Sequence, residues 1–186
     1  MNLITLRDMF DDHRGRQIDK WEHYFPIYEK HFSRFRGKEP RVLEIGVDHG
    51  GSLQLWKRYF GPGAEIIGVD INPEAAFFES QISVVTADQR SAALADMGPF
   101  DIVIDDGSHD PIHQAESFSN LWPRTQGVYL IEDCHQGYPL IVGSTPIRYQ
   151  YPWVVVYERP KRIIRGTPSR ELRPDEADAR KLFGPR

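Results

Sequence analysis

Short apolar runs alternate with amphipathic stretches from residue 41 onward. The runs are continuous in their apolar character, which is typical of parallel strands that are buried on both faces. They cover residues 41–45, 66–69, 82–87, 101–105 and 128–131. Because predicted helices separate these strands, the pattern indicates βαβ units. The sequence therefore predicts a single-domain α/β fold with a doubly wound, mostly parallel sheet.

The predicted helices begin and end at residues with recognisable capping or breaking chemistry. Ser52 is suited to cap the helix after the first strand, and Gly61-Pro62-Gly63 ends that helix. Asn72-Pro73 opens a short helix after the second strand. Asp110-Pro111 combines a cap with proline at the first helical position, so we expect a helix from there to a point before Pro123.

The region before the first strand carries aromatic residues at the spacing of one helix face. They are Trp21, Tyr24, Phe25, Tyr28 and Phe32. Such a face is usually buried in the core, and a lid over a bound ligand is the alternative. We therefore treat residues 1–40 as an amino-terminal helical lid segment and residues 41–165 as the core.

The last part of the chain has weaker patterns. Residues 135–152 contain several glycines and prolines, and we expect a loop there with at most a short helix. Residues 153–157 and 162–164 are predicted as an antiparallel pair of edge strands. Residues 166–186 are rich in charged residues and proline, so we expect a polar, mostly solvated carboxyl-terminal tail.

Composition narrows the range of partners. A chain of 186 residues with 40% hydrophobic content can bury the core of one domain. The net charge of -4 creates no field that would attract nucleic acid or anionic lipid. No apolar run approaches the ~20 residues of a membrane span. Cys134 is the only cysteine, which excludes a disulfide within the chain. We therefore expect a cytoplasmic protein with a small-molecule partner, and neither a nucleic acid nor a membrane.

Acidic residues follow two of the predicted strands. The fourth strand ends on Asp105 and Asp106, with His109 shortly after, and the fifth ends on Glu132 and Asp133. Ligands of open α/β sheets bind beyond such strand ends, and clustered carboxylates repel each other unless they are protonated or share a cation. A metal site is therefore expected. Successive strand residues point to opposite faces, so the last two carboxylates can share an ion only if the backbone turns there.

A glycine-rich turn, Gly46 to Gly51, lies between the first strand and its helix. Such a turn lets a ligand approach the backbone closely. Its spacing does not match the G-x-G-x-x-G pattern of dinucleotide-binding proteins, because the second glycine is displaced to Gly50. A nicotinamide-dependent oxidoreductase is therefore disfavoured. Glu44, within an otherwise apolar strand, must find a partner when it is buried.

The same turn resembles the first motif of class I S-adenosylmethionine-dependent methyltransferases. The match covers roughly residues 41–133 and rests on three segments: Glu44-x-Gly46-x-x-x-Gly50, Gly68-Val69-Asp70 and Ala87-Asp88. It implies that Glu44, Gly46 and Gly50 line the methionyl part of the cofactor. It also implies that Asp70 binds the ribose hydroxyls and that Asp88 and Gln89 border the adenine. The alternative for Asp70 and Asp88 is that each only starts a turn.

Within that superfamily, the tips of strands four and five are similar to those of the macrocin and mycinamicin type of sugar O-methyltransferases. These enzymes methylate hydroxyls on macrolide sugars with the help of magnesium. The similarity implies that Asp106, Glu132 and Asp133 bind Mg²⁺ and that His109 is the catalytic base. Carboxylate oxygens suit Mg²⁺, and an imidazole can accept a hydroxyl proton near neutral pH. From the residues alone, His109 also suits a cap before the next helix, or a transition-metal pair with His113.

The sequence thus predicts an S-adenosylmethionine-dependent, Mg-assisted O-methyltransferase acting on a sugar-type hydroxyl of a small natural product. Two alternatives stay open: a metal-independent methyltransferase on another small-molecule acceptor, and a non-catalytic S-adenosylmethionine-binding accessory domain. The macrolide enzymes have longer acceptor-binding regions than this chain offers. A homo-oligomer in which a neighbouring subunit supplies a lid is therefore a further expectation.

Overall fold

A single mixed sheet organises the part of the chain that the computed structural model describes, residues 4–139, 141 and 147–159. Its strands are β1 (Arg41–Ile45), β2 (Glu65–Asp70), β3 (Phe78–Glu79), β4 (Ile82–Thr86), β5 (Phe100–Asp105), β6 (Thr125–Ile131), β7 (Ile147–Tyr151) and β8 (Val154–Glu158). The spatial order is β3-β4-β2-β1-β5-β6-β8-β7. The strands β4, β2, β1, β5 and β6 run parallel, whereas β3, β7 and β8 pair antiparallel with their neighbours. The predicted α/β sheet is confirmed.

The strand order changes direction between β1 and β5. From β1 the chain goes first to β2 and β4 on one side, and then to β5 and β6 on the other. In such sheets the connecting segments diverge at this point and leave a crevice beyond the carboxyl ends of the strands. The acidic residues after β5 and β6 therefore lie where a ligand is expected.

The α-helices are α1 (Leu6–Asp11), α2 (Phe25–Phe32), α3 (Gly51–Phe60) and α4 (Pro111–Leu121). The helix predicted after Asp110 is confirmed, because the Asp110 carboxylate accepts a hydrogen bond from the backbone N–H of Ile112 at 2.8 Å. The predicted helix after Asn72 is a 3-10 turn, Pro73–Ala75. The prediction did not include α1, which is only six residues long and is held by a capping box of Thr5 and Asp8.

Ser52 does not cap α3, so that prediction was wrong. The cap position is Gly50, which has a φ of 82°, and Ser52 lies inside the helix. Its hydroxyl donates instead to the buried carboxylate of Glu44 at 2.7 Å. A buried carboxylate that lacks hydrogen-bond donors destabilises the fold. Ser52 therefore donates to Glu44 instead of capping the helix.

The aromatic face of the amino-terminal region is mainly core. Tyr24, Phe25, Tyr28 and Phe32 are each at most 4% exposed, and Tyr28 packs edge-to-face on Trp56 of α3. Trp21, by contrast, lies outside α2 and is 52% exposed. The interpretation as core is therefore right for four of the five aromatic residues and wrong for Trp21.

One strand was missed near the end of the described chain. Residues 147–151 form β7 inside the region predicted as a loop, while β8 and the short 3-10 turn Cys134–Gln136 agree with prediction. The side chains of β7 are half-buried or exposed at the sheet edge, so the strand leaves no apolar run in the sequence. The predicted strand 162–164 and the tail 166–186 lie outside the described residues. Among the described helices, none has the length and apolar character needed to cross a membrane.

The free energy of unfolding is expected to depend on pH through His31, which contacts strands β7 and β8. This buried residue of α2 contacts the Glu158 carboxylate through Nδ1 at 2.9 Å and the Tyr151 hydroxyl through Nε2 at 2.8 Å. Burial lowers the pKa of His31, although Glu158 opposes the shift. A lowered histidine pKa means that stability present above about pH 6.5 is lost as the pH falls through the folded pKa.

Urea unfolding at about pH 7.5 and about pH 5.5 measures this loss. The His31→Gln variant is expected to lose less stability between the two pH values than the parent protein does. His49→Gln, which changes an exposed histidine, is the matched control and is expected to behave like the parent. An equal loss in the parent and in His31→Gln would show that His31 does not carry the effect.

Candidate active site

The carboxyl ends of β1, β5 and β6 are joined side by side. The N–H of Asp106 donates to the carbonyl of Ile45 at 2.9 Å, and the N–H of Glu132 donates to the carbonyl of Asp105 at 2.9 Å. The sheet ladder therefore continues just past the strand ends. This arrangement aligns the glycine turn after β1 with the acidic residues after β5 and β6.

Two neighbouring cavities open at this edge, with volumes of about 390 Å³ and about 260 Å³. Gly46 and Asp70 line both of them. The smaller cavity is also lined by Asp88 and Gln89, so four of the predicted cofactor residues line this one cavity. The other two predicted residues, Glu44 and Gly50, are absent from the lining of both cavities.

Both glycines of the turn adopt backbone conformations that L side chains rarely adopt. Gly46 has a φ of 85° and Gly50 a φ of 82°. A Cβ at Gly46 would overlap the backbone carbonyl of Asp106, and one at Gly50 would overlap the ring of Phe77. Gly46 thus permits the close approach of the turn and the strand β5 tip, whereas Gly50 shapes the start of α3.

Asp70 braces the glycine turn. One carboxylate oxygen accepts from the N–H groups of Val47 at 2.8 Å and Asp48 at 3.2 Å, and the other accepts from Asn72 at 2.8 Å. The last contact is the turn-forming role considered from sequence. A carboxylate has about four acceptor positions, so Asp70 retains capacity for a donor in the cavity that it lines.

The two residues after β4 have different surroundings. Asp88 forms an ion pair with Arg90 at 2.6 Å, and hydrogen bonds from Arg90 lower the pKa of the Asp88 carboxyl. Gln89 is buried, donates to the Ser117 hydroxyl at 3.0 Å and accepts from the N–H of Ser108 at 2.8 Å. Gln89 therefore holds the loop after β5 against α4, while Asp88 remains at the rim.

An imidazole and two carboxylates converge in the larger cavity. One donor atom each from Asp106, His109 and Asp133 lies within 4.8 Å of the other two. Asp133 has a φ of 51°, so the backbone turns directly after β6, as a shared site requires. His109 Nε2 lies 3.9 Å from an oxygen of Asp133, and His109 Nδ1 is buried without a hydrogen-bond partner among the described residues. The two carboxylates suit a hard divalent cation, whereas an imidazole is a ligand typical of transition metals.

Glu132 is not part of this cluster, because its carboxylate forms an ion pair with Lys20. No role for this lysine was predicted from the sequence. The Lys20 ammonium lies 2.9 Å from Glu132, 2.6 Å from Asp106 and 3.6 Å from Glu44, and its side chain is 4% exposed. The second Glu132 oxygen accepts from the Tyr28 hydroxyl at 2.8 Å. Burial lowers the pKa of Lys20, but the carboxylates outweigh it and raise that pKa well above its usual value. Lys20 is thus a buried, protonated side chain that contacts the cluster through Asp106.

Comparisons with known proteins agree with this geometry. No protein-family model matches the chain. It is 44% identical over 143 residues to the 8-demethyl-8-alpha-L-rhamnosyl tetracenomycin-C 2'-O-methyltransferase of Streptomyces olivaceus, an alignment of 68% of this chain and 38% of the relative. It is 43% identical over 131 residues to the mycinamicin VI 2''-O-methyltransferase of Micromonospora griseorubida, covering 62% and 33% of the two chains.

A solved structure gives the same result. The MycE methyltransferase from the mycinamycin biosynthetic pathway, in complex with Mg, SAH and mycinamycin VI, superposes with a TM-score of 0.70 at 28% identity, covering 96% of this chain and 59% of that one. The chain has the class I methyltransferase fold and resembles the sugar O-methyltransferases. The resemblance predicted from the strand-tip motifs is confirmed. The chain spans 33% to 38% of the length of the curated relatives described above.

The two aspartates at the end of β5, Asp105 and Asp106, have different surroundings. Asp105 is fully buried and accepts from the Tyr129 hydroxyl at 3.2 Å, and burial raises its pKa to about 7. Asp106 points into the cavity instead. Cys134 is buried, as predicted, and burial raises its pKa to about 12. His113 contacts Ser108 at 3.0 Å and is not part of the cluster around His109.

The sequence contains a weak signal for the missed lysine. Glu44 lies in an apolar strand and needs a partner, but its donors, Ser52, Trp56 and Lys20, come from two different segments. Burial raises the pKa of Glu44, and Lys20 opposes that shift. The apolar neighbours of Glu44 in the sequence show that its carboxylate needs a hydrogen-bond donor. They do not identify a donor that lies 24 residues earlier in the chain.

Proposed function

We propose that the chain is an S-adenosylmethionine-dependent O-methyltransferase domain that acts, with magnesium, on a sugar-type hydroxyl of a small natural product. One observation carries the proposal: the cluster of Asp106, His109 and Asp133 opens into the same cavity as Gly46 and Asp70. A methyl donor held at the glycine turn would therefore face an imidazole and two carboxylates. The curated relatives methylate rhamnosyl tetracenomycin and mycinamicin VI, which supports a glycosylated acceptor.

The cofactor is proposed to span both cavities. Asp88 and Gln89 border the smaller cavity, which has mainly apolar walls and suits the adenine. Asp70 lies at the junction and has acceptor capacity for the ribose hydroxyls. Gly46 has no side chain and leaves room for the methionyl group beside the end of β5. Glu44 is proposed to stabilise this region indirectly, through its ion pair with Lys20 and its hydrogen bond from Ser52.

Asp106 and Asp133 are proposed to hold the magnesium ion, with Glu132 as a further ligand once Lys20 releases one of its oxygens. Their carboxylate oxygens are the ligand type that Mg²⁺ prefers. When bound, the ion would coordinate the acceptor hydroxyl and lower its pKa. The relative MycE was crystallised in complex with Mg and SAH, which supports this assignment.

His109 is proposed to be the general base. Its Nδ1 is buried, so Nε2 is the nitrogen that can take the acceptor proton. In the step, the hydroxyl oxygen forms a bond to the methyl carbon, the carbon–sulfur bond breaks, and S-adenosylhomocysteine leaves. The proton moves to His109 Nε2, and Asp133 at 3.9 Å stabilises the imidazolium that forms. The chain therefore supplies both proton removal and alignment.

The direct test measures S-adenosylhomocysteine formation with a rhamnosylated natural product as acceptor. We expect product with the glycoside and none with the sugar-free aglycone, which is the matched control. If S-adenosylmethionine binds but glycosylated acceptors yield no S-adenosylhomocysteine, the chain is an accessory cofactor-binding domain and the proposal fails.

A metal-independent methyltransferase is the second candidate, and Lys20 is the observation that favours it. Its ammonium already neutralises part of the charge of Asp106 and Glu132 without an ion. Titration with a chelator separates the two candidates. We expect activity to fall on removal of divalent ions and to return with added magnesium, whereas full activity without ions would establish the second candidate.

Asp70→Ala is expected to weaken cofactor binding. The change removes the proposed ribose acceptor and two braces of the glycine turn. Loss of hydrogen bonds to a charged group corresponds to roughly tenfold to hundredfold lower affinity for S-adenosylhomocysteine, measured by calorimetry. Asp96→Ala, at an exposed position, is the control and should bind as the parent does. Unaltered affinity of the Asp70 variant would contradict the ribose assignment.

A further inference from the structure

A strip of aromatic rings leads from the proposed base to the protein surface. His109 and His135 have ring centroids 5.9 Å apart, and His135 lies 6.5 Å from Trp153. Trp153 in turn lies 5.2 Å from Trp21, edge-to-face. The two tryptophans are 40% and 52% exposed. Large aromatic groups that are exposed side by side at a site usually mark a binding surface.

Trp21, at the outer end of the strip, lines a third cavity, of about 350 Å³, that adjoins the acidic cluster, and Trp153 packs against Trp21 without lining that cavity itself. Trp21 and Tyr24 form its aromatic wall, and Asp106 and Asp133 lie on its acidic side. A pyranose ring has matching properties, because its hydroxyls are donors for carboxylates and its C–H faces pack against aromatic rings. The cavity therefore combines the two contacts that a sugar requires.

The backbone at Trp153 gives a second, independent reason. Trp153 lies in the turn between β7 and β8 and has a φ of 58°, a region that favours glycine or asparagine and in which bulky residues are outliers. Its carbonyl accepts from the N–H of Cys134 at 2.8 Å, which fixes the turn beside Asp133. Backbone strain of this kind concentrates at ligand-binding positions. Trp153 thus occupies a backbone position that would favour glycine, which suggests that the indole side chain has a function there.

We propose that Trp21 and Trp153 form a stacking platform for the glycosyl ring of the acceptor. The inference rests on the proposed function, because the platform would present a ring hydroxyl to His109. It goes further by assigning recognition of the sugar itself, and not only of the natural product that carries it, to two side chains of this chain.

Indole N–H signals test the platform without turnover. The chain has four tryptophans, and we expect titration of the ¹⁵N-labelled full chain with methyl α-L-rhamnopyranoside to shift the signals of Trp21 and Trp153. Trp21→Phe and Trp153→Phe assign these signals. Trp56 and Trp122 are buried and should not shift. Sorbitol, which has hydroxyls but no ring, should shift neither pair.

Unshifted Trp21 and Trp153 signals at the highest soluble sugar concentration would overturn the platform. If this result accompanies efficient methylation of a glycosylated acceptor, the proposed function stands and only the platform fails. If the signals shift while no methylated product forms, the platform stands and the proposed function fails. The two proposals are therefore tested separately.

Trp153→Gly separates binding from structure. Glycine relieves the positive φ, which offsets the lost contacts of the partly buried indole, so the melting temperature should change little. Loss of the indole should raise the KM for the glycosylated acceptor about tenfold with little change in kcat. Trp122→Phe, which alters a buried tryptophan away from the cavity, should leave KM unchanged. An unchanged KM in Trp153→Gly, or a KM increase that accompanies a lower melting temperature, would contradict the proposal.

Discussion

His109→Ala is expected to lower the turnover number by about 10² to 10⁴-fold, the contribution typical of a general base. The imidazole lies beside Asp133 in the cavity that holds the glycine turn, and the variant removes the only proton acceptor proposed for the hydroxyl. His109 has a φ of 59° and lies two residues before the start of α4. Affinity for S-adenosylmethionine should remain nearly unchanged. Single-turnover rates and a calorimetric titration measure the two quantities.

Magnesium affinity distinguishes a base from a metal ligand at this position. Because a donor atom of His109 lies within 4.8 Å of those of Asp106 and Asp133, the imidazole is also close enough to coordinate an ion. A base predicts unchanged Mg²⁺ affinity in His109→Ala, whereas a ligand predicts weaker binding. His13→Ala, at a histidine that contacts the Arg16 carbonyl and lines none of the three cavities, is the matched control and should retain full turnover. An unchanged turnover number in His109→Ala would remove the residue from the mechanism.

Lys20→Met is expected to lower the free energy of unfolding by about 3–5 kcal/mol near pH 8, the cost of breaking a buried ion pair. The ammonium is buried among Glu44, Asp106 and Glu132, and methionine keeps much of its volume without its charge. The carboxylates left without it can take up protons. Burial raises the pKa of Glu44 and Glu132, and Lys20 opposes both shifts, so without the ammonium the variant should regain stability as the pH falls from about 8 to about 5.5.

Urea unfolding at both pH values measures this effect, and Lys57→Met supplies the matched comparison. Lys57 pairs with Glu79 at 2.7 Å on the partly exposed surface of α3, where such a pair contributes about 0–1 kcal/mol. If Lys20→Met costs no more than Lys57→Met, the three carboxylates do not depend on the ammonium. A loss of stability that does not diminish at the lower pH would also contradict the electrostatic explanation.

Local patterns identified most of the site because its parts lie at the ends of predicted strands. Asp70, Asp106 and Asp133 each follow a strand whose apolar run is visible in the sequence, and parallel strands bring their carboxyl ends to one edge. Asp133 has a φ of 51°, so the backbone turns after β6, as two neighbouring carboxylates need in order to share an ion. The assignments of these residues to cofactor and metal stay predictions until ligands are measured.

Other predictions failed where tertiary contacts outweigh local preference. Ser52 is a good capping residue by type, yet the buried Glu44 carboxylate takes its hydroxyl. Trp21 has the spacing of a core aromatic, but the helix starts only at Phe25. Strand β7 pairs at the edge and has no apolar run to reveal it. In each case the outcome depends on contacts that residue type and spacing within the segment do not specify.

The sequence by itself determined the parallel sheet, the glycine turn and the acidic strand tips, because each depends on periodicity or on the conformational limits of neighbouring residues. Only the tertiary structure decided how the charges are shared. Lys20 reaches Asp106 and Glu132 across 86 and 112 residues of chain, and Trp21 meets Trp153 at the mouth of the site. Such contacts depend on how α2 and the β7–β8 turn pack on the sheet edge. No spacing rule within one segment encodes that packing.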